Sequence, residues 1–365
     1  MTPASGSVID ASPASSIPDV EGWQTDWSKS TIDTADLIRG ISASDPRDQI
    51  PPIDEPSFET VAEASEWLDD REPVAHFELN GEARAYPLRI LTWHEIVNDQ
   101  VGATPVIVTY CPLCNTALAF DRRVDGETLT FGTSGLLRNS DLVMWDRQTE
   151  SLWQQVTGES IVGSLAGKQL EFLSLSLVSW KDFRDGFPSG LVLSRDTGFE
   201  RAYGTNPYEF YDASSAPFLF GGEVDDRYPA MERVVGVLIA DDARGYPFSV
   251  LQEERAVNDD VGGEPVVVFW GSEDTASALS SSDITQGRAV GAGVAFSRIL
   301  DGRTLTFARQ GDFFRDEETG STWDILGQAI DGALAGGHLE AVVHANHLWF
   351  SWAAFFPDAE VYAGS

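Results

Sequence analysis

The sequence predicts an α+β fold that is dominated by strands and built from two tandem, pseudo-symmetric copies of one unit. Three observations support this: a long internal repeat, short β-branched runs between turn residues, and a few segments with aromatic residues at helical spacing. The chain has 365 residues, 42% of them hydrophobic, with 11 Trp and 20 Phe. That is enough apolar material for two folded units.

The internal repeat begins at an offset of 160 residues, where the segment 84–87 (RAYP) returns as 244–247 (RGYP). The segment 97–99 (VND) likewise returns as 257–259. Further matches follow in the same order: 129–131 with 305–307, Asp146, Thr149, Ser151 and Trp153 with Asp316, Thr319, Ser321 and Trp323, and Phe187-Pro188 with Phe356-Pro357. Because the order is preserved throughout, the pattern indicates a tandem duplication.

The local patterns predict short strands and short helices within each unit. Residues 105–110 (PVIVTY) form a β-branched run, and residues 127–131 follow an Asp-Gly pair, which is typical of a hairpin. Residues 117–121 also resemble a strand. Residues 89–98 and 177–187 place apolar side chains at helical spacing and are predicted to be helices.

The repeat and the composition together predict four segments along the chain. They are a disordered, acidic N-terminal segment at 1–45, a first unit at 46–212, a linker at 213–227 and a second, degenerate unit at 228–365.

The charge of the chain restricts its partners and its environment. The formal charge is −34, and the only lysines are Lys29, Lys168 and Lys181. Such a chain needs screening by salt, so we expect a high-salt cytosol. A phosphate backbone requires a basic patch, so nucleic acid is not an expected partner, and with no long apolar run neither is a membrane. No secretory signal is expected because no basic residue precedes Lys29. The sequence leaves the oligomeric state open.

The chemistry-bearing motif is Cys111-Pro112-Leu113-Cys114, which contains the only two cysteines of the chain. No disulfide framework can therefore hold the fold. Two thiolates at this spacing can bind one metal ion from a tight turn, and Asn115 tolerates the left-handed backbone that often follows the second cysteine. Further ligands must come from other parts of the chain.

The repeat suggests those ligands, because residues that disappear together from the second unit are candidates for one site. The positions and their counterparts are Cys111 with Gly271, Cys114 with Asp274, His94 with Glu254, His76 with Gly236 and Met144 with Phe314. We therefore predict a site made by Cys111, Cys114 and His94, completed by His76, Met144 or water. The Cys2His set suits zinc or iron, and Met144 would favour copper.

Two other functions remain open at this stage. The cysteine pair could cycle between dithiol and disulfide, with Cys111 attacking and Cys114 resolving, as in a thiol-disulfide oxidoreductase. The chain could instead be a non-catalytic binding module in which the second unit supplies structure or a partner surface. In each case the expected partner is a small molecule or a metal ion. Whether it is an enzyme is not decided by its sequence.

The segment 108–120 (VTYCPLCNTALAF), followed by Gly132-Thr133-Ser134-Gly135 and the run 142–153, resembles the uncharacterised family known as domain of unknown function 3179. The likeness covers about 74–212, and the second unit resembles the family as a degenerate member. The resemblance implies a shared fold and marks Cys111 and Cys114 as signature positions, and it implies no activity.

Overall fold

The structure is a computed structural model that describes residues 9–10 and 22–364. Strands dominate it, as predicted, and the described residues contain five short α-helices. The helices are Val61–Ala64, Leu88–His94, Trp180–Gly186, Phe248–Glu254 and Trp349–Phe355, with 3-10 turns at Thr34–Asp36, Tyr211–Ala213 and Ile284–Gln286.

The first half of the chain forms four sheets, in each of which neighbouring strands are hydrogen-bonded in the order stated. A five-stranded sheet contains Leu175–Ser179, Pro73–Leu79, Glu82–Pro87, Leu191–Leu193 and Phe58–Thr60. A four-stranded sheet contains Glu171–Leu173, Thr116–Asp121, Thr104–Cys111 and Ile96–Val101. A hairpin pairs Arg123–Val124 with Glu127–Thr128. A seven-stranded sheet contains Ile9–Asp10, Lys29–Ser30, Ser160–Val162, Leu152–Gln154, Asp141–Asp146, Phe131–Arg138 and Ile38–Arg39.

The second half forms four sheets in a matching series. The first contains His344–Leu348, Arg233–Ile239, Asp242–Pro247 and Glu360–Val361. The second contains Ala256–Val261, Glu264–Gly271 and Ala292–Ser297. A hairpin pairs Ile299–Leu300 with Arg303–Thr304. The last sheet contains Phe307–Gln310, Phe313–Asp316, Thr322–Trp323 and Ala329–Asp331.

Several buried contacts occur at the same place in both halves. The Tyr86 hydroxyl donates to Asp99 at 2.6 Å, and the Tyr246 hydroxyl donates to Asp259 at 2.8 Å. Each of these carboxylates also pairs with the arginine two residues before its tyrosine. A buried carboxylate that gains both a hydroxyl and a guanidinium fixes the angle between the hairpin and the neighbouring strand.

The two halves pack into each other rather than lying side by side. The strand Leu175–Ser179 of the first half contacts Ala292–Ser297 of the second, and His344–Leu348 of the second contacts Thr116–Asp121 of the first. One apolar cluster contains Val178 and Trp180 together with second-half residues such as Phe269. Two of the apolar clusters therefore contain side chains from both halves, so part of the stabilising apolar burial depends on both being present.

Both predicted helices begin or end elsewhere than expected. The first one ends at His94, because Glu95 adopts a left-handed conformation (φ 59°) and the chain continues as the strand Ile96–Val101. The second begins at Trp180, where Ser179 and Asp182 form a capping box. The apolar residues before Ser179 belong to a strand, so helical and strand periodicity overlap in this segment.

Part of the N-terminal segment is folded, although the composition predicts disorder for 1–45. The backbone N–H of Thr31 donates to Ile161 O at 2.9 Å, and that of Gly40 donates to Gly135 O at 2.9 Å. Trp23 and Trp27 pack against a small apolar cluster of the seven-stranded sheet. Most of residues 1–21 lie outside the described part of the chain.

Among the described residues, none of the helices has both the length and the apolar character that crossing a bilayer requires.

Candidate metal centre

The Cys-Pro-Leu-Cys segment is the tight turn of a β-hairpin. Cys111 is the last residue of the strand Thr104–Cys111, and the N–H of Cys114 donates to Cys111 O at 3.3 Å. Asn115 takes the left-handed conformation (φ 52°) that its side chain tolerates, which confirms the expectation for the residue after the second cysteine. The strand Thr116–Asp121 follows at once, so both thiols are held on one turn. Neither forms a disulfide.

A carboxylate from the next hairpin reaches the two thiols. Asn139 and Ser140, both with positive φ, form the turn that places Asp141 at the start of its strand. The sulfur of Cys111 lies 3.8 Å from Ser140 O, which brings this turn against the cysteine turn. One ligand atom from each of Cys111, Cys114 and Asp141 lies within 4.8 Å of the others. All three residues are buried, with at most 2% of their surface exposed.

The two geometrically well-formed hydrogen bonds of the Asp141 carboxylate are made by one of its oxygens, and the two thiols lie beside the group. Its Oδ2 accepts hydrogen bonds from Gln154 Nε2 at 2.6 Å and from Val156 N at 3.1 Å. Its Oδ1 is buried and has no hydrogen-bond partner among the described residues. Native proteins rarely leave such an atom unpaired, because the lost hydration is not replaced. A cation between this oxygen and the thiols would provide the missing partner.

Burial keeps all three groups protonated at mildly acidic pH when no cation is present. It raises the pKa of the Cys111 thiol, with Asp141 and Glu95 adding to the effect, and it raises the pKa of the Cys114 thiol well above its usual value. Burial also raises the pKa of Asp141 to about 6. A bound cation would reverse each of these preferences, since it favours the anionic form of every ligand.

A cavity of about 640 Å³ lies against this group. It is lined by Leu113, which separates the two cysteines, by Leu142, which follows Asp141, and by Tyr208 and Tyr211. Glu95 also lines it, and its Oε1 accepts a hydrogen bond from the Tyr208 hydroxyl at 3.0 Å. Burial raises the pKa of Glu95 to about 7.

The far end of the chain closes the opposite side of the site. The N–H of Leu348 donates to Cys114 O at 2.8 Å, and Thr116 Oγ1 lies 2.8 Å from His347 Nδ1. Leu348 and Phe350 belong to the same apolar cluster as the two cysteines. The site in the first half is therefore completed by the second half.

The structure does not bring the expected histidine ligand His94 to the thiols. Its Nδ1 lies 2.7 Å from Pro51 O and its Nε2 lies 2.7 Å from the Tyr203 hydroxyl, so both ring nitrogens already have partners. The group of converging donors contains Asp141 in the place expected for His94. His94 instead connects its helix to the segments that contain Pro51 and Tyr203.

The other two expected ligands differ in their surroundings: His76 lies among aromatic side chains, whereas Met144 lies in the cluster of the cysteines. His76 lies on the strand Pro73–Leu79 and packs against Phe183 and Phe187, with ring centroids 5.6 and 4.6 Å apart. Burial lowers its pKa to about 3, so it is a neutral imidazole. Met144 is closer to the expectation, because it belongs to the apolar cluster that contains both cysteines.

The comparison of the two units that predicts His94 as a ligand does not name Asp141 or Glu95 as site residues. Both nevertheless differ between the two units. At the offset of 170 residues Asp141 corresponds to Gly311, and at the offset of 160 Glu95 corresponds to Arg255. Like the two cysteines, Asp141 and Glu95 are therefore replaced by residues of another type in the second unit. A comparison of the two units that included acidic residues would have identified both carboxylates as candidates for the site.

One comparison with known proteins gives a match. The family model described as "Protein of unknown function (DUF3179)" matches residues 47–359. The match runs through both halves, so the family unit is larger than the 74–212 region that carries the resemblance in the sequence. No curated protein and no solved structure matches the chain.

Proposed function

This chain belongs to the DUF3179 family of proteins of unknown function, and we propose that it binds one transition metal ion through Cys111, Cys114 and Asp141. The observation that carries the proposal is the unpartnered, buried Oδ1 of Asp141 within a group of three donors. Three acidic groups buried together without a cation are unfavourable unless all are protonated. A divalent ion removes that cost and uses every donor.

The donor set favours zinc, with iron as the next choice. Zinc accepts thiolate sulfur and carboxylate oxygen in a tetrahedral shell, and three protein ligands leave the fourth position for water or a substrate. Copper in its reduced form prefers only soft donors, so the carboxylate argues against it unless Met144 also binds. A three-ligand site with an open position is typical of catalytic zinc, which makes a metalloenzyme the favoured extension of this proposal.

A thiol-disulfide oxidoreductase is the second candidate, and the closeness of the two thiols favours it. Three features argue against it. The attacking thiol of such enzymes is exposed and has a lowered pKa, usually at a helix N-terminus. Cys111 is buried, its pKa is raised, and a strand follows the motif.

We also propose that the two halves are copies of one unit and that only the first keeps the site. In the second half, Gly271, Gly311 and Arg255 stand where the first has Cys111, Asp141 and Glu95. The metal-free half would then serve to enclose the site through the strand His344–Leu348. The charge of −34 supports our further proposal that the protein works in a high-salt cytosol. A free energy of unfolding that does not rise with KCl would contradict that setting.

Elemental analysis tests the metal proposal. The full chain is purified without an affinity tag in concentrated KCl, dialysed against metal-free buffer, and analysed for zinc, iron and copper. We expect about one metal ion per chain, and loss of that metal in Cys111→Ala and Asp141→Ala. His94→Gln is the matched control and should retain the metal.

Two results would contradict the proposal. One is a metal content far below one ion per chain even after zinc or ferrous iron is supplied. The other is metal that persists in both ligand variants.

A further inference from the structure

The side chains that line the cavity beside the candidate metal centre favour one chemical class of ligand. We propose that it binds a small organic molecule with an apolar body and a hydrogen-bond-donating head, an alcohol or an amine, whose head is accepted by Glu95. This inference deepens the proposed function and rests on it for the presence of a metal ion near the bound molecule. The cavity itself does not depend on the metal.

The walls of the cavity are mainly apolar. Leu113, Leu136, Leu137 and Leu142 line one side, and the segment 207–219, which contains Tyr208, covers the other. Its volume of about 640 Å³ falls within the range of small-molecule sites. Apolar walls of this kind bind an apolar body through burial and a few polar groups set its orientation.

The polar groups of the cavity favour ligands that donate hydrogen bonds over ligands that carry negative charge. Among the described residues no lysine, arginine or histidine lines it, whereas the two carboxylates Glu95 and Glu209 do. Only Glu95 is buried, with 6% of its surface exposed. An anionic ligand would meet like charge on a protein of charge −34, so a donor head is favoured and a carboxylate head is disfavoured.

The position of Glu95 links the cavity to the metal ligands. Its backbone oxygen accepts a hydrogen bond from Tyr110 N at 2.7 Å, and Tyr110 immediately precedes Cys111. The left-handed conformation of Glu95 directs the chain from the helix into the strand that pairs with Thr104–Cys111. A head group held by Glu95 therefore lies close to the metal ligands.

The covering segment is attached to the ligand turn. The Ser140 hydroxyl donates to Phe218 O, and Ser140 directly precedes Asp141. The N–H of Phe218 donates to the Tyr211 hydroxyl at 3.3 Å, and Tyr211 lines the cavity. Hydrogen bonds thus connect the segment that covers the cavity to the turn that carries the metal ligand Asp141.

Four probes of similar size test the proposal: benzyl alcohol, benzylamine, toluene and benzoate. Their binding to the full chain in concentrated KCl is measured by ligand-observed NMR, at about pH 8.5 so that Glu95 is ionised, with and without added zinc. We expect the alcohol and the amine to bind at least tenfold more tightly than toluene, since a hydrogen bond to a charged group is worth about that much, and benzoate not to bind.

Three variants locate the effect. Glu95→Gln should reduce the preference for the donor head about tenfold. Tyr208→Phe releases Glu95 Oε1 from its present donor, so it should leave binding of the alcohol unchanged or strengthen it. Glu254→Gln is the matched control, because Glu254 accepts a hydrogen bond from the Tyr362 hydroxyl outside the cavity, and it should bind the probes like the native protein.

The outcomes separate this inference from the metal proposal. If the protein holds metal but no probe binds, or Glu95→Gln binds every probe unchanged, the inference is overturned and the metal site stands. Benzoate binding as tightly as benzyl alcohol would also overturn it. If the probes bind as expected to protein that takes up no metal, the inference is supported and the metal proposal fails.

Discussion

The same place in the two halves of the molecule is built in opposite ways. In the first half it contains two thiols and a carboxylate, and apolar side chains such as Phe350 and Met231 pack in the same cluster as the thiols. In the second half Gly271 and Arg255 line a cavity of about 700 Å³ together with other charged residues such as Lys181. If the two halves are copies of one unit, as we propose, a common scaffold sets the position of the site, and a few side chains decide its chemistry.

The replacements in the second half are mutually consistent. Arg255 stands where Glu95 stands in the first half, and its guanidinium pairs with Glu273 at 2.7 Å and lies over Trp270 at 4.4 Å. The turn after Gly271 is also much longer than the Cys-Pro-Leu-Cys turn, since the next strand of that sheet begins only at Ala292. A converging set of soft donors cannot form there.

The largest effect should come from removing a thiol. Cys114→Ser should weaken zinc binding on the order of ten-thousandfold, because a structural zinc binding energy of about 10–16 kcal/mol is shared by few ligands. Competition with a chromophoric chelator measures this. The control is Met144→Leu, which keeps the apolar packing and should bind zinc normally. Equal loss in both variants would mean that packing, not ligation, explains the result.

A pH effect should distinguish the strand His344–Leu348 from the strand Leu175–Ser179. His347 faces the first-half sheet, and burial lowers its pKa to about 3 from the usual 6.5. Between these values the unfolded chain binds a proton that the native chain excludes, so the free energy of unfolding falls as the pH drops from 6.5 to 3. This residue alone contributes up to about 5 kcal/mol over that window.

Replacing His347 with the residue of the first-half strand tests this directly. The counterpart is Val178, so His347→Val should make the free energy of unfolding less dependent on pH between these limits. Urea unfolding at constant KCl measures the dependence. His338→Gln is the control, because the His338 side chain is 38% exposed. A slope that His347→Val leaves unchanged would refute the account.

If the two halves are copies of one unit, the same contact should contribute equally to the free energy of unfolding in both. Asp146 accepts hydrogen bonds from Thr149 and from Trp153 Nε1 at 2.9 Å, and Asp316 accepts the same bonds from Thr319 and from Trp323 Nε1 at 3.0 Å. Asp146→Ala and Asp316→Ala should each lower the free energy of unfolding by about 3 kcal/mol, since buried donors lose their acceptor. Values that differ by more than about 1 kcal/mol would argue against equivalent halves.

The smallest predicted effect concerns the residue that positions the carboxylate. Gln154 holds Asp141 Oδ2 at 2.6 Å, so Gln154→Leu should weaken zinc binding about tenfold to a hundredfold. The matched control is Asp324→Leu, at the equivalent place in the second half, which should leave zinc binding unchanged. An identical effect from both changes would indicate general destabilisation.

The local part of the site could be predicted from the sequence. The cysteine turn and the left-handed Asn115 follow from neighbouring residues alone. Asp141 could not be predicted as a ligand in the same way, because its distance from the thiols depends on how two separate hairpins pack against each other. His94 does not join the converging donors, because both of its ring nitrogens lie 2.7 Å from other partners, Pro51 O and the Tyr203 hydroxyl.

The predominance of strands could be predicted, but the way the halves interlock could not. Local patterns identify residues 105–110 as a strand, and the structure extends it only slightly, to Thr104–Cys111. The packing of strands of one half against strands of the other joins residues more than a hundred positions apart, as in the bond from Leu348 N to Cys114 O. Such contacts are set by tertiary packing, which local propensity does not encode.

X-ray absorption at the metal edge of zinc-loaded protein shows whether Cys111, Cys114 and Asp141 hold the ion. We expect two sulfur neighbours at about 2.3 Å and lighter neighbours at about 2.0–2.2 Å from Asp141 and the open position, with one sulfur lost in Cys111→Ser. A shell of oxygen and nitrogen alone, or a spectrum that Cys111→Ser does not change, would contradict this expectation.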